Sequence, residues 1–453
     1  MRGTAVMTRV NAPSGRGGVV PRRSLRILRQ VRRGLAPVTF DEPVADPGPP
    51  GDVLEMLRRL GGAMCDGGDA ADYIAEHLDT IATAYDASGV SFFVLPTGVF
   101  VRVDLGDSTR ADFAPATGSP LRLDQIGALY TLVHRAERRQ LRPAEVLEEL
   151  DELLVSRPRF AAPWRVLGLV ALTVGLGLVI DSSAKPLPAY VVLALVVAAV
   201  DALAERVGSL RVALPVAVAF FVSFVSYEVA GPWFDADPAT VIIPPLVTYL
   251  PGAALTIGTV ELATGSIISG ASRLMSGLVT LLLLAFGITA GAAAVGEFDT
   301  PSGDAAQLGW WAPWVGVAVF GVGHFVHSPA PRRSLGWLLL ILFVAFGAQV
   351  AGASAWGAVA SGFTGALVVP PLARWVETRR EGPPALVTFL PAFWLLVPGA
   401  LGVAGVAEIV AAQGTASLDD FVDAIVTVVA VALGVLIGTT LTLAPRRRGS
   451  RAA

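Results

Sequence analysis

Two acidic residues occupy matching places in two long apolar stretches, and they are the groups in this chain best suited to moving a proton. Glu261 closes Pro251-Gly252-Ala253-Ala254-Leu255-Thr256-Ile257-Gly258-Thr259-Val260-Glu261-Leu262, and Glu408 closes Pro398-Gly399-Ala400-Leu401-Gly402-Val403-Ala404-Gly405-Val406-Ala407-Glu408-Ile409. Both follow the frame P-G-A-x-x-x-x-G-x-x-E-[LI], displaced by 398 − 251 = 147 residues. An ionisable side chain inside a bilayer costs roughly 2.5–3.5 kcal/mol on insertion scales and is a functional candidate by default. Glu261 and Glu408 are therefore the proton-coupling candidates, and solvated helix ends are the alternative. The Pro-Gly that opens each frame breaks a helix and frees backbone amide and carbonyl groups, suitable ligands for the carboxylate and ammonium of a zwitterion.

The substrate-binding candidates follow from the same frame. They are Pro251, Gly252 and Gly258 in the first copy and Pro398, Gly399 and Gly405 in the second. A second match adds a hydroxyl three residues before a proline in each half. Leu246-Val247-Thr248-Tyr249-Leu250-Pro251 corresponds to Leu386-Val387-Thr388-Phe389-Leu390-Pro391, so Thr248, Thr388 and Pro391 join the set. Its offset is 386 − 246 = 140, which implies a seven-residue insertion between Pro391 and Pro398. Asp201 and Glu228 sit near the ends of apolar stretches and read as interfacial. His324 and His327, at i and i+3 with no third ligand in sight, read as packing residues, so no metal or other cofactor is expected.

These residues need membrane spans to hold them. The chain is 53% hydrophobic and 16% charged, with a mean hydropathy of +0.63, too apolar overall for an ordinary soluble protein. Its single cysteine, Cys65, excludes an intramolecular disulfide framework. From Trp164 onward the apolar stretches approach the roughly 20 residues that cross a bilayer. They fall at 164–180, 187–203, 212–230, 240–262, 274–295, 310–328, 335–353, 356–373, 385–411 and 421–443. Gly287-x-x-x-Gly291 and Gly434-x-x-x-Gly438, again 147 apart, read as helix-contact seams.

Charge sets the orientation. Alternate connections carry Arg206 and Arg211, Arg273, Arg332 and Arg333, Arg374 and Arg379, and Arg446 to Arg448, whereas the other set holds Lys185 and many acids. By the positive-inside rule both termini are cytoplasmic in a multi-pass plasma-membrane protein. Ten spans in two related halves make five per half, and an odd number inverts one half relative to the other. The expectation is an all-α polytopic membrane protein, ten transmembrane helices as two inverted five-helix repeats (161–300 and 301–445), the arrangement of repeat-built transporters.

Ahead of the spans the pattern is that of a small α+β cytoplasmic domain, 51–160. Helical spacing covers Val53–Met64, Tyr73–Tyr85, Leu123–Arg139 and Ala144–Leu154, and Pro96-Thr97-Gly98 joins two β-rich runs as a hairpin. No nucleophile–base pair or phosphate loop is visible there, and His77 and His134 read as surface or packing residues, which weighs against a membrane-tethered hydrolase. Residues 1–50, rich in Arg and Pro, read as a disordered leader, and 446–453 as a basic tail. Nothing suggests a nucleic-acid partner.

Leu60-Gly61-Gly62-Ala63-Met64-Cys65-Asp66-Gly67-Gly68, Val94-Leu95-Pro96-Thr97-Gly98 with Thr109-Arg110, and Leu250-Pro251-Gly252 through Glu261, Gly265, Ser269-Gly270 and Arg273-Leu274 resemble the threonine/serine exporter family, as does Leu396-Val397-Pro398-Gly399-Ala400. The resemblance implies ten spans behind a cytoplasmic domain and export of threonine and serine driven by protons. Where the family's first half usually carries Asp, this chain has Glu261. Split relatives of the fold imply a neighbouring alternative, a small dicarboxylate of the succinate type.

Overall fold

The computed structural model describes residues 45–46, 49–87, 89–104, 109–207, 210–234, 238–295, 307–379, 381–396 and 418–442. The leader to residue 44, the basic tail and the second Pro-Gly frame, with Pro398, Gly399, Gly405 and Glu408, lie outside the described residues.

The N-terminal domain packs four helices and a sheet. Helix α1 (Pro50–Asp66) starts on a proline, whose fixed φ suits the first turn, and buries Val53, Met56, Leu57, Leu60 and Met64 at helical spacing. Helix α2 (Ala71–Ala84) buries Ile74, Leu78 and Ile81. The expected hairpin is present as β1 (Val90–Leu95) and β2 (Gly98–Asp104), paired from Val90↔Val103 to Leu95↔Gly98. A third strand, β3 (Thr109–Pro115), pairs with β2 from Gly98↔Pro115 to Asp104↔Thr109 and completes an antiparallel sheet in the order β1-β2-β3. Val94, Val99, Val101 and Ala114 turn inward onto α1, while Phe93, Phe100 and Phe113 form a cross-strand row on the outer face. Helices α3 (Leu123–Glu137) and α4 (Pro143–Val155) close the domain.

The rest of the described chain is helical. Helices α5 (Ala162–Ile180), α6 (Leu187–Arg206), α9 (Ile267–Val295) and α11 (Leu335–Trp356) are long and apolar enough to cross a membrane. Helices α7 (Leu210–Val225), α10 (Ala312–His327), α12 (Ala358–Glu377), α13 (Ala385–Leu396) and α14 (Leu418–Thr442) occupy the remaining expected stretches, apart from 240–262. That stretch is broken. A 3₁₀ turn over Pro244–Tyr249 leads to an extended Leu250 (ψ 127°), and a fresh helix, α8 (Gly252–Thr264), begins after Pro251.

Glycines bring the helix backbones together. A Cβ on Gly175 would lie 2.7 Å from the Gly316 carbonyl oxygen, and one on Gly168 would lie 2.9 Å from that of Gly323, so α5 and α10 run antiparallel. The pairing is reciprocal at one displacement, since 316 − 168 and 323 − 175 are both 148. The predicted seams are also present, with α7 parallel to α9 and α12 parallel to α14. Gly287 abuts Val216, Ala219 and Phe220, and Gly434 abuts Phe363, Ala366 and Leu367, so every contact recurs at the displacement 434 − 287 = 147.

Candidate functional site

The break at Pro251 leaves the first turn of α8 uncapped. The first helical bond is donated by Leu255 to the Pro251 carbonyl (2.9 Å), and Pro251 itself has no side-chain oxygen to cap the amides that follow it. Ala253 and Ala254 line a cavity of about 610 Å³ between the membrane helices and the N-terminal domain. One wall is Arg165, His324, His327 and Trp394, and the facing wall comes from the turns after α1 and β1, including Cys65, Asp66 and Thr97.

Polar groups on the membrane side of this chamber lack partners. His324 is 1% exposed, packs at a tilt against Trp394 with 4.6 Å between ring centroids, and has no hydrogen-bond partner for either ring nitrogen among the described residues. Arg165 Nε is likewise buried and unpartnered, while its carbonyl oxygen lies 3.1 Å from His327 Nδ1. A buried donor left unmet costs about 1–3 kcal/mol, so a cluster of them marks a place where a ligand or water belongs. On the opposite wall Asp66 is satisfied, accepting from the Thr117 amide (3.0 Å), the Thr117 hydroxyl (2.8 Å) and the Gly118 amide (3.0 Å). Burial pushes the Cys65 thiol up to about 12.

At its other end α8 is heavily bonded. Glu261 is 1% exposed, so it is not a solvated helix end. Its Oε1 accepts from the Ala71 amide at the start of α2 (2.8 Å), and its Oε2 accepts from the Ser269 hydroxyl (2.9 Å) and pairs with Arg273 Nε at 3.2 Å. Arg273, which also lines the chamber, donates to the carbonyls of Gly68 (3.3 Å) and Asp69 in the turn between α1 and α2. Thr264 donates to Asp72 (2.9 Å), and Ser266 bonds the same carboxylate. One buried ion pair thus fastens the N-terminal domain to α8 and α9.

The other sequence candidates divide. Pro251 and Gly252 form the break, while Gly258 lets α8 approach α9, where a Cβ would lie 3.0 Å from the Gly270 carbonyl oxygen. Thr248 lies in the 3₁₀ turn. Pro391, which as a proline inside an apolar stretch would be expected to interrupt its helix, does not. Helix α13 runs through it from Ala385 to Leu396, with Pro391, Ala392, Phe393 and Leu395 buried, so packing overrides the missing amide. Thr388 is fully buried and donates to the Ala385 carbonyl within its own helix (3.0 Å), whereas the neighbouring Leu390 reaches the chamber. Asp201 is half-buried and bonded by Tyr249, while Glu228 is exposed in a π-turn. In the N-terminal domain His77 bonds Glu137 and packs edge-on against Tyr73. Arg165 was not singled out from the sequence, and His324 was read there as a packing residue, yet both line the chamber. Their i, i+3 and helix-start positions were visible, but nothing local showed that they face a cavity.

Residues 55–295 match the family model for threonine/serine exporters, and residues 332–441 match a second threonine/serine exporter model, ThrE. The chain belongs to the threonine/serine exporter family. No curated protein and no solved structure matches it. As an exporter-family member with several apolar helices, the chain is a membrane protein and a transporter of a small molecule.

Proposed function

We propose that the protein exports small amino acids, threonine and serine, from the cytoplasm by proton antiport with alternating access. The observation that carries this reading is the chamber at the broken span, where the uncapped start of α8 meets unpartnered Arg165 and His324. A discontinuous helix whose N-terminus points into a cavity is how repeat-built transporters hold an anionic substrate group. The reciprocal antiparallel contact of α5 with α10, and the two seams repeated at one displacement, support ten spans arranged as two inverted five-helix repeats. The arginine distribution supports a plasma-membrane location with the N-terminal domain in the cytoplasm.

In this reading Thr248, Pro251, Gly252 and Gly258 shape the substrate path in one half, and Thr388, Pro391, Pro398, Gly399 and Gly405 in the other. Glu261 and Glu408 carry the coupling proton. A proton on Glu261 removes the charge that holds Arg273, and with it the fastening of the domain that walls the chamber. Charge favours a zwitterion over a dicarboxylate. Of the arginines lining the chamber, Arg273 is paired with Glu261 and Arg122 with Asp124, which leaves Arg165, whose charge also reaches Asp201, with no carboxylate in ion-pair contact among the described residues.

The test is transport by the purified protein in liposomes across an imposed pH gradient. Wild type is expected to accumulate threonine against its gradient. Glu261→Gln is expected to lose uphill transport and keep threonine-for-threonine exchange. Gradient-driven transport retained by Glu261→Gln and by Glu408→Gln removes both acids from coupling, and transport of succinate without threonine reassigns the substrate.

A further inference from the structure

We propose that the first turn of α8, His324 and Arg165 together form a subsite for the carboxylate of the exported molecule, so that the protein selects its cargo by that group before it reads the side chain. The inference rests on the chamber being the exporter's substrate site.

Three independent sets of donors converge on it. The amides of Ala253 and Ala254 point out of the start of a 13-residue helix and carry its positive end. His324 is 1% exposed, and neither of its ring nitrogens has a partner among the described residues. Arg165 Nε is buried without a hydrogen bond. His324 and Arg165 come from the paired helices α10 and α5, whose glycine seam fixes the spacing of the two backbones that carry them. The His324 ring is packed at a tilt against Trp394.

The acceptors fall on the opposite wall. Asp66 lies there, with its oxygens accepting from Thr117 and Gly118. A donor-rich wall facing an acidic one matches an α-amino acid, with its carboxylate on α8 and its ammonium toward Asp66. It does not match an amine lacking the carboxylate, which would leave the buried donors unmet.

The experiment measures equilibrium binding of threonine and of threoninol, its alcohol analogue without the carboxylate, to the full-length protein. Wild type is expected to prefer threonine by about tenfold or more, and His324→Phe, which keeps an aromatic ring against Trp394, and Arg165→Gln are each expected to narrow the preference to about threefold or less. Arg165→Lys, retaining a cation, is expected to recover part of it. A second readout covers variants that do not fold. In a Cys65→Ser, Ala254→Cys chain, threonine is expected to slow maleimide labelling of residue 254, and threoninol is not. Equal binding of the two ligands by wild type, an undiminished preference in both variants, or labelling indifferent to threonine overturns the subsite and leaves the chamber reading intact if threonine still binds. Wild type that binds neither threonine nor serine overturns both.

Discussion

The two ends of α8, about three helical turns apart, solve opposite problems. Beyond Pro251 the first turn of α8 has no cap from the residue before it, and its Ala253 and Ala254 line a chamber that His324 and Arg165 enter without hydrogen-bond partners for the His324 ring or for Arg165 Nε among the described residues. At Glu261 both carboxylate oxygens are engaged by an amide, a hydroxyl and a guanidinium, with almost no solvent. The contrast teaches that a buried charge does not by itself mark the place where a substrate sits. Unmet donors beside a cavity mark the chamber, whereas a carboxylate with both oxygens accepting marks the fastening that positions its wall. Glu261 is joined to transport through the domain it holds.

Breaking the satisfied end should have the largest effect. Glu261→Ala leaves Arg273 buried without its partner, a loss of about 3–5 kcal/mol of docking free energy for a pair of this kind. Cys65 reports the outcome, because burial raises its thiol to about 12 and it lines the chamber between the domain and the membrane helices. At pH 8 almost no thiolate exists in wild type, and alkylation should climb steadily as pH rises toward 12. In Glu261→Ala the thiol returns toward its ordinary value, so alkylation at pH 8 should accelerate by more than about tenfold. An unchanged rate would mean that the domain is held by other contacts.

Breaking the unsatisfied end should change transport and leave docking alone. Pro251→Ala restores an amide able to join the 3₁₀ turn to α8 and removes the constraint that keeps Leu250 extended. Export should fall by about tenfold, the equivalent of one hydrogen bond to a charged group, with Cys65 as unreactive as in wild type. Pro391→Ala, in a helix that already runs through the proline, should keep export within about twofold of wild type. Equal losses in the two variants would erase the distinction between a break and a tolerated proline.

Much of this was legible because the rules are local. Apolar length gave the stretches that became α5, α6, α9 and α11, and Pro251-Gly252 announced a helix start because proline lacks an amide wherever it sits. The hairpin followed from Pro96-Thr97-Gly98. Strand β3 was missed because Arg110, Asp112 and Pro115 dilute its apolar alternation, as suits a strand at the sheet edge with one face exposed. Pro391 was misjudged because tertiary burial of its neighbours outweighs one lost backbone bond. The partner of Glu261 lies 190 residues earlier, at an alanine with no side chain to advertise the contact. His324 was seen as one of two imidazoles on a helix face, but its place on a cavity depends on α5 and α13, which no spacing reveals.

The smallest effect tests where the fastening stops. Ser266 bonds Asp72 beside the Glu261 pair, but this contact lies at the exposed rim, where water competes for both groups. Exposed polar contacts of this sort are worth at most about 1 kcal/mol. Ser266→Ala should therefore keep Cys65 alkylation at pH 8 within about fivefold of wild type, since 1 kcal/mol changes a docking equilibrium by no more than that. Asp72→Asn, which removes the charge and keeps the shape, should behave the same way. If either variant exposed Cys65 as fully as Glu261→Ala, the rim and the buried pair would be acting as one cooperative unit, and the division of α8 into a fastened end and an open end would have to extend outward to include Thr264 and Ser266.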